Sequence, residues 1–323
     1  MEHLQLFFTD AIIADIAQQS NLYYKKKGKV INNWRDITPN EIKAFLGIIL
    51  AMGLVDLPKF TDYWAKDGIV MVPWFSSIMT RTRFYEILSN IHLSNDENQT
   101  NGNKLAKLGN LAQLLNNTFH QRYTPSRNLS VDEQMIGTKC RISFIQYMPK
   151  KPTKFGIKVW VLCEAETGYC QQFQIYTGKI DGNPEKGLAK RVVLDLLENY
   201  LDKKFHVYWD NFYSTKELFD VLEKKQTYAC GTVRKDRGNF PDTFHQKLKR
   251  GQMVFLRDKN LVAVHWFDKR DVYAMSSIHG TSKEDVIRRG DTEPVEKPKI
   301  IIEYNKYMNG VDKRDQYFSS YPF

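Results

Sequence analysis

The sequence predicts a mixed α/β chain in which an all-helical first third precedes a sheet-containing core. Three observations carry this. Residues 1–122 place apolar side chains at helical spacing. From 128 to 233 the patterns run in the order β-β-β-α-β-α-β, strands at period two and helices between them. Residues 234–300 then exchange that alternation for short apolar runs between basic turns. The 323 residues suffice for two or three ordinary cores. A composition of 42% hydrophobic and 26% charged residues is that of a globular protein, and 13% aromatic argues against long disorder.

In the helical third, Leu4, Phe7, Phe8, Ile12 and Ile13 form one apolar stripe. Thr38-Pro39-Asn40-Glu41 is a helix start, with Thr as the cap, Pro at the first position and Glu as the capping-box partner. The helix it opens, Ile42 to Met52, is apolar nearly all round and belongs in a core. Phe84, Ile87, Leu88 and Ile91 mark a helix after Thr82. Residues 94–104, rich in Asn, form a loop. Leu108, Leu111, Leu114, Leu115 and Phe119 mark a last helix. His92 and His120 read as packing or surface residues. The longest apolar run, Ala44 to Val55, has twelve residues, against about 20 for a bilayer span, so no membrane segment is expected.

The core opens with Leu129, Val131, Glu133 and Met135 alternating with Ser130, Asp132, Gln134 and Ile136. This is a strand with Asp132 in its body and Gly137 at its end. Lys139, Arg141, Lys150, Lys151, Lys154 and Lys158 follow without one acidic residue, and Phe144, Tyr147 and Phe155 are interleaved. Such a segment can hold a phosphate backbone and stack on bases; it reads equally as a solvated hairpin. Residues 159–163 and 172–176 are two strands joined through Thr167-Gly168. Asn183-Pro184 opens a helix with Leu188, Val192, Leu196 and Tyr200 on one stripe. Phe205, Val207 and Trp209 alternate with His206, Tyr208 and Asp210 in a strand bulky on both faces, hence central. Ser214 caps the next helix with Glu217 as its box partner, and residues 228–233 form a further strand. Asp210 ends a central strand, where α/β sheets bind ligands; Asp210-Asn211 serves equally as a turn. This order is that of a ribonuclease-H-like sheet, in which the first strand and the strand after the first helix are neighbours. By that analogy of fold, Asp132 and Asp210 come together.

Beyond the core, residues 253–256, 261–267 and 272–275 are short strands. From Lys224 to Arg270 there are twelve Lys/Arg against four Asp/Glu, most of the chain's net charge of +10. A concentrated basic segment suits a polyanionic partner; it also suits a charged β insertion. Residues 284–299, with Pro294 and Pro298, form a connecting loop. Asn309-Gly310 is a turn, and a helix starting at Val311 carries Asp312 and Asp315 on one face, where both also suit the helix dipole. Cys140, Cys163, Cys170 and Cys230 are widely spaced free thiols, and the absence of close Cys or His pairs excludes a zinc site.

These segments resemble the piggyBac-type transposases and the host proteins derived from them. The matching residues are Leu129 to Gln134, Tyr147 to Pro152, Lys154 to Lys158, Asp210 to Ser214, Gly231 to Arg234, Tyr304-Asn305, Gly310 to Asp312 and Asp315-Gln316. Arg83-Phe84 and His92-Leu93 match in the helical part. The resemblance covers nearly the whole chain, in order.

The resemblance implies four parts: a helical DNA-binding or dimerisation region over 1–122; a ribonuclease-H-like catalytic core over 123–233; a β-rich basic insertion over 234–300; and, over 301–323, a closing helix bearing the third aspartate. It implies Asp132, Asp210 and Asp312 as catalytic metal ligands, with Asp315 a further ligand, and two Mg2+ or Mn2+ ions. It implies cleavage and transfer of double-stranded DNA at TTAA, with Lys139, Arg141, Lys150, Lys151, Lys154, Lys158, Arg234 and Lys235 on the DNA. Carboxylates suit such chemistry because phosphoryl transfer needs hard oxygen ligands for paired divalent ions. No Walker loop is present, so ATP is not implied. A homodimer and a nuclear location are expected. Family members carry a polar segment before this core and more helix after it, many with a Cys-rich zinc domain. The expectation is therefore a C-terminally truncated chain whose last helix, about 20 Å long at 1.5 Å per residue, is poorly braced and disturbed by Pro322. Two readings stay open: an active transposase core, or a domesticated or truncated derivative that binds DNA or partners without catalysis.

Overall fold

The structure is a computed structural model that describes residues 2–28, 34–95, 102–149, 151–179, 182–237, 240–287 and 293–320. The chain divides into two compact units, Met1–Arg122 with Gln316–Phe323, and Tyr123–Asp315.

The first unit contains α1 (Glu2–Gln5), α2 (Asp10–Lys27), α3 (Pro39–Met52), α4 (Pro73–Ile78), α5 (Arg81–Asn90) and α6 (Leu111–Arg122). α3 begins as its sequence dictates: Thr38 Oγ1 accepts from the Glu41 amide at 3.2 Å, and Glu41 accepts from the Thr38 amide at 3.0 Å. α5 starts earlier than expected, because Thr80 rather than Thr82 caps it. Ile13, Ile42, Phe45, Ile48, Phe84 and Ile87 form the core of this unit. One buried cation stands beside that core. Arg83 is 6% exposed and pairs with Glu41 at 2.8 Å and Glu86 at 2.9 Å, with its guanidinium over the Trp34 ring. No helix among the described residues is long and apolar enough to cross a membrane.

The second unit opens with β1 (Asn128–Gly137), β2 (Gln146–Tyr147), β3 (Phe155–Glu164) and β4 (Cys170–Ile175). Then come α7 (Leu188–Leu196), β5 (His206–Trp209), α8 (Lys216–Lys224) and β6 (Tyr228–Thr232). The strands β7 (Met253–Asp258), β8 (Leu261–Phe267) and β9 (Asp271–Ser276) follow, then β10 (Lys283–Ile287) and β11 (Pro294–Pro298). The helices α9 (Lys299–Tyr307) and α10 (Gly310–Ser319) complete the elements. One sheet runs β2-β3-β1-β5-β6-β9-β8-β7, with β4 also on β3. β1, β5 and β6 are parallel neighbours, and β3 and β9 flank them antiparallel. β1 and β3 leave no room for a side chain where Gly137 faces Gly156, since a Cβ on Gly156 would lie within contact of the Ile136 carbonyl oxygen.

Strand alternation sorts the two faces. Leu129, Val131, Val207, Trp209 and Ala229 pack with Val192, Leu196, Leu218 and Leu222 of α7 and α8. On the other face Tyr208, Cys230, Val264 and Ala274 pack with Ile300, Ile301 and Tyr304 of α9, and Val159, Val161 and Cys163 pack with Val311 of α10.

Several local expectations give way. α7 begins at Leu188 after Gly187 at φ 72°, not at Asn183-Pro184. Thr215, not Ser214, caps α8. Ser214 is drawn inward to accept from Trp209 Nε1 at 3.0 Å and to donate to the Thr232 carbonyl at 2.5 Å, two buried groups that need partners. The basic strands expected as an insertion extend the core sheet itself, because β9 pairs with β6. The connecting loop expected over 284–299 contains the β10–β11 hairpin, with Val286 opposite Val295. Its prolines sit at the first and last positions of β11, where they interrupt least. The last helix is well braced in its first turns. Val311 is buried, Lys313 Nζ donates to the carbonyls of Ala165 at 3.1 Å and Glu166 at 2.8 Å, and Arg314 donates to Gln134. Pro322 lies outside the described residues.

Candidate active site

The site begins with register. β1 and β5 are parallel with Val131 opposite Trp209, so Asp132 and Asp210 are the next residues on neighbouring strands. Leu129 and Val131 face α7 and α8; alternation therefore turns Asp132 toward the α9–α10 face, as it turns Tyr208 and then Asp210. β5 ends there because Asp210 Oδ1 accepts the Phe212 amide at 2.7 Å. Asp210 thus makes the turn and presents its other oxygen at the strand end. Arg234 holds Asn211 Oδ1 at 2.9 Å, and Arg237 donates to the Phe212 carbonyl at 3.1 Å, so two cations clasp this turn.

α10 brings the remaining carboxylates. Its first residue, Gly310, lies against Ser130 of β1 and the backbone of Glu164 and Ala165 beyond β3. That seating sets the direction of the first turns, which carry exposed Asp312 and half-buried Asp315. Lys151, from the turn between β2 and β3, reaches into the group. Its ammonium lies 4.0 Å from Asp132 Oδ2 and 3.8 Å from Glu133 Oε1, and it donates to the Glu133 carbonyl at 3.0 Å.

The electrostatics show a crowded set of anions. Burial holds Asp132 well above the usual carboxylate range, and Glu133 and Asp210 push the same way against Lys151. Burial likewise raises Asp210, with the Phe212 amide opposing. Asp315 is pushed up to about 6 by burial, while Lys151 and Arg314 pull down and Asp312 adds repulsion.

The donor set suits a hard divalent cation, since it is built from carboxylate oxygens alone. Two buried polar atoms around it lack partners among the described residues: Asp315 Oδ1 and the Tyr213 hydroxyl, the latter with Asp132, Glu133 and Asp210 as its charged neighbours. Among the described residues, however, no three His, Cys, Asp or Glu side chains are gathered closely enough to hold an ion. The β1–β5 register brings Asp132 and Asp210 together, while Asp312 is exposed.

The basic residues divide. Lys139, Arg141, Lys154, Arg234 and Lys235 are exposed. Lys150 lies outside the described residues. Lys151 turns inward, and Lys158 is held 3.9 Å from Glu133 with its ammonium over Trp160 and Phe212. An open cleft of about 850 Å³ beyond Asp210 has a lining of mixed charge, Arg234, Lys235 and Arg270 alternating with Asp236, Asp268 and Asp271. Glu133, Tyr213 and Arg237 escaped the sequence reading as site residues. Glu133 and Tyr213 sit inside the motifs that carry Asp132 and Asp210, which was the available signal; Arg237 had none beyond its charge.

A family model described as Transposase IS4 matches residues 1–323. The human PiggyBac transposable element-derived protein 3 is 32% identical over 99% of this chain. The chain belongs to the piggyBac-type transposase family. It is also 24% identical, over 98% of its length, to the human PiggyBac transposable element-derived protein 2. It spans 56% and 55% of these two relatives, about half their length. Its fold matches a cryo-EM structure of a piggyBac transposase synaptic complex with hairpin DNA, at TM-score 0.85 and 26% identity, over 98% of this chain and 67% of that one.

Proposed function

We propose that this chain is the ribonuclease-H-like core of a piggyBac-type DNA transposase, with Asp132, Asp210 and Asp312 as catalytic ligands and Asp315 supporting them. The observation that carries the reading is the parallel β1–β5 register, which sets Asp132 and Asp210 on adjacent strands below the helix that bears the other two. Bound there, Mg2+ or Mn2+ would activate the attacking oxygen and stabilise the leaving one. The chain's own residues do the rest. Asp132 and Asp210 are pre-positioned by the sheet, Arg234 and Arg237 hold the Asp210 turn rigid, and Tyr213 closes the cluster from the α7–α8 side. Exposed Lys139, Arg141, Lys154, Arg234 and Lys235 flank the phosphate backbone of double-stranded DNA. The substrate is TTAA-flanked DNA, the working form a dimer, and the compartment the nucleus.

The test is nicking of supercoiled plasmid carrying TTAA sites in Mg2+ or Mn2+. Wild-type protein should nick in a metal-dependent manner, and Asp210→Ala should lose at least about 100-fold, in line with removal of a positioned charge-stabilising group. Equal nicking by both proteins refutes the enzyme reading. The exposure of Asp312, with no three carboxylates gathered closely enough to hold an ion among the described residues, favours a second reading, a transposase-derived protein that binds DNA without cutting it. That reading predicts no metal-dependent nicking, together with DNA affinity that falls steeply between about 50 and 200 mM salt through counterion release.

A further inference from the structure

Lys151 stands where the proposed metal site needs a positive charge. Its Nζ is 4.0 Å from Asp132 and 3.8 Å from Glu133, and Asp210 and Asp315 are also among the groups whose charge it offsets. Its one hydrogen bond among the described residues goes to the Glu133 carbonyl. The ammonium therefore closes on no single carboxylate and is shared by several. The turn that carries it is built to aim it inward. The Met148 amide donates to Lys154 at 2.8 Å and the Lys151 amide to Met148 at 3.2 Å, a tight tip. Pro149 and Pro152 flank it and fix φ. Thr153 seats the turn against Gly137, where a Cβ would come within 3.1 Å of its methyl.

A divalent ion coordinated by Asp132 would sit about 2.1 Å from the carboxylate oxygen with twice the charge. Two cations held that close repel each other and compete for the same carboxylates. The ammonium is on a flexible four-carbon stem, so it is the one that moves. We propose that Lys151 is a built-in counter-ion of the carboxylate cluster in the ion-free protein, displaced when a divalent cation binds. The carboxylates are thereby partly neutralised without an ion, and loading the site frees the Lys151 cation. The inference rests on the reading of the cluster as a metal site.

The experiment titrates the full chain with Mn2+ alone, without DNA, and reads free Mn2+ by electron paramagnetic resonance. The variants are Lys151→Met, Lys151→Arg and Asp132→Asn, with Lys151→Gln should the Met variant fail to fold. Lys151→Met should bind Mn2+ at least about tenfold more tightly than wild type, about 1.4 kcal/mol, because no tethered cation competes. Lys151→Arg should return to the wild-type affinity. The ion-free melting temperature of Lys151→Met should fall below wild type, and saturating Mn2+ should raise it by more. A merely structural lysine would show the first thermal change without the gain in affinity. If wild type and Lys151→Met bind alike and Asp132→Asn abolishes both, the metal site stands and the counter-ion role is overturned. If no variant binds Mn2+, both fall.

Discussion

Replacing Gly310 with alanine sets two effects of opposite sign against each other. Alanine in place of glycine inside a helix gains up to about 1 kcal/mol, and less at Gly310, the first residue of α10. Against this, the added methyl would lie 2.3 Å from Ser130 Oγ, 3.0 Å from the Glu164 carbonyl oxygen and 3.1 Å from Ala165 Cα. Two of those three contacts are backbone and cannot rotate away. Overpacking of this kind costs about 1–3 kcal/mol, so the net expectation is a loss of about 1–2 kcal/mol. Urea unfolding followed by circular dichroism measures it. The clash has a partner that can be removed. Ser130 Oγ has no hydrogen-bond partner among the described residues, so Ser130→Ala alone should change stability by under about 0.5 kcal/mol. Combined with Gly310→Ala it should recover about 1 kcal/mol, as directly coupled neighbours do. A Gly310→Ala protein as stable as wild type, or a double variant that recovers nothing, refutes the account of how α10 is seated.

Three further outcomes follow from buried and half-buried polar groups. Arg83→Met removes the shared cation of Glu41 and Glu86, both partly exposed, and should cost the helical unit about 1–3 kcal/mol in urea melts. Burial pushes Glu41 up, but the Arg83 and Thr38 hydrogen bonds outweigh it and hold it at about 2, against an ordinary 4.5. A depressed carboxyl stabilises the fold above its unfolded value, so this contribution is complete above pH 4.5 and is lost as pH falls toward 2. Acid titration of thermal stability should show that slope in wild type and lose it in Glu41→Gln; an unchanged slope refutes the assignment. Ser214→Ala leaves the Trp209 indole N–H and the Thr232 carbonyl unpaired and should cost about 1–3 kcal/mol in urea melts. A loss below about 0.5 kcal/mol would mean that these groups are satisfied elsewhere.

Much of the fold was legible because its signals are local and periodic. The α3 start was written in Thr38-Pro39-Asn40-Glu41, and each backbone partner lies within three residues. β1, β5 and β6 showed as alternating or doubly apolar runs, since a strand buried on both faces leaves no other composition. Errors gathered where tertiary demand outweighs local preference. Ser214 looked like a cap by sequence and became a buried bridge, because Trp209 and Thr232 needed it more than the helix end did. The β10–β11 hairpin was hidden by its prolines and charges, since its pairing depends on cross-strand partners such as Lys283 with Glu296 at 3.0 Å. The bracing of α10 was invisible because Lys313 finds its acceptors at Ala165 and Glu166, far away in the chain.

The sequence by itself determined most of the strands and helices of the core, and so which carboxylates fall at strand ends and helix starts. Hydrophobic periodicity and capping chemistry act over a few residues and leave their record in composition. Only the tertiary structure decided which charges meet. Lys151 read as one of eight basic residues that could face DNA, and its ammonium instead lies among Asp132 and Glu133. Nothing periodic marks that inward turn. It depends on a tight tip between β2 and β3, on Gly137 leaving room for Thr153, and on a side chain long enough to cross to β1. Each of these is a contact between segments that only folding brings together.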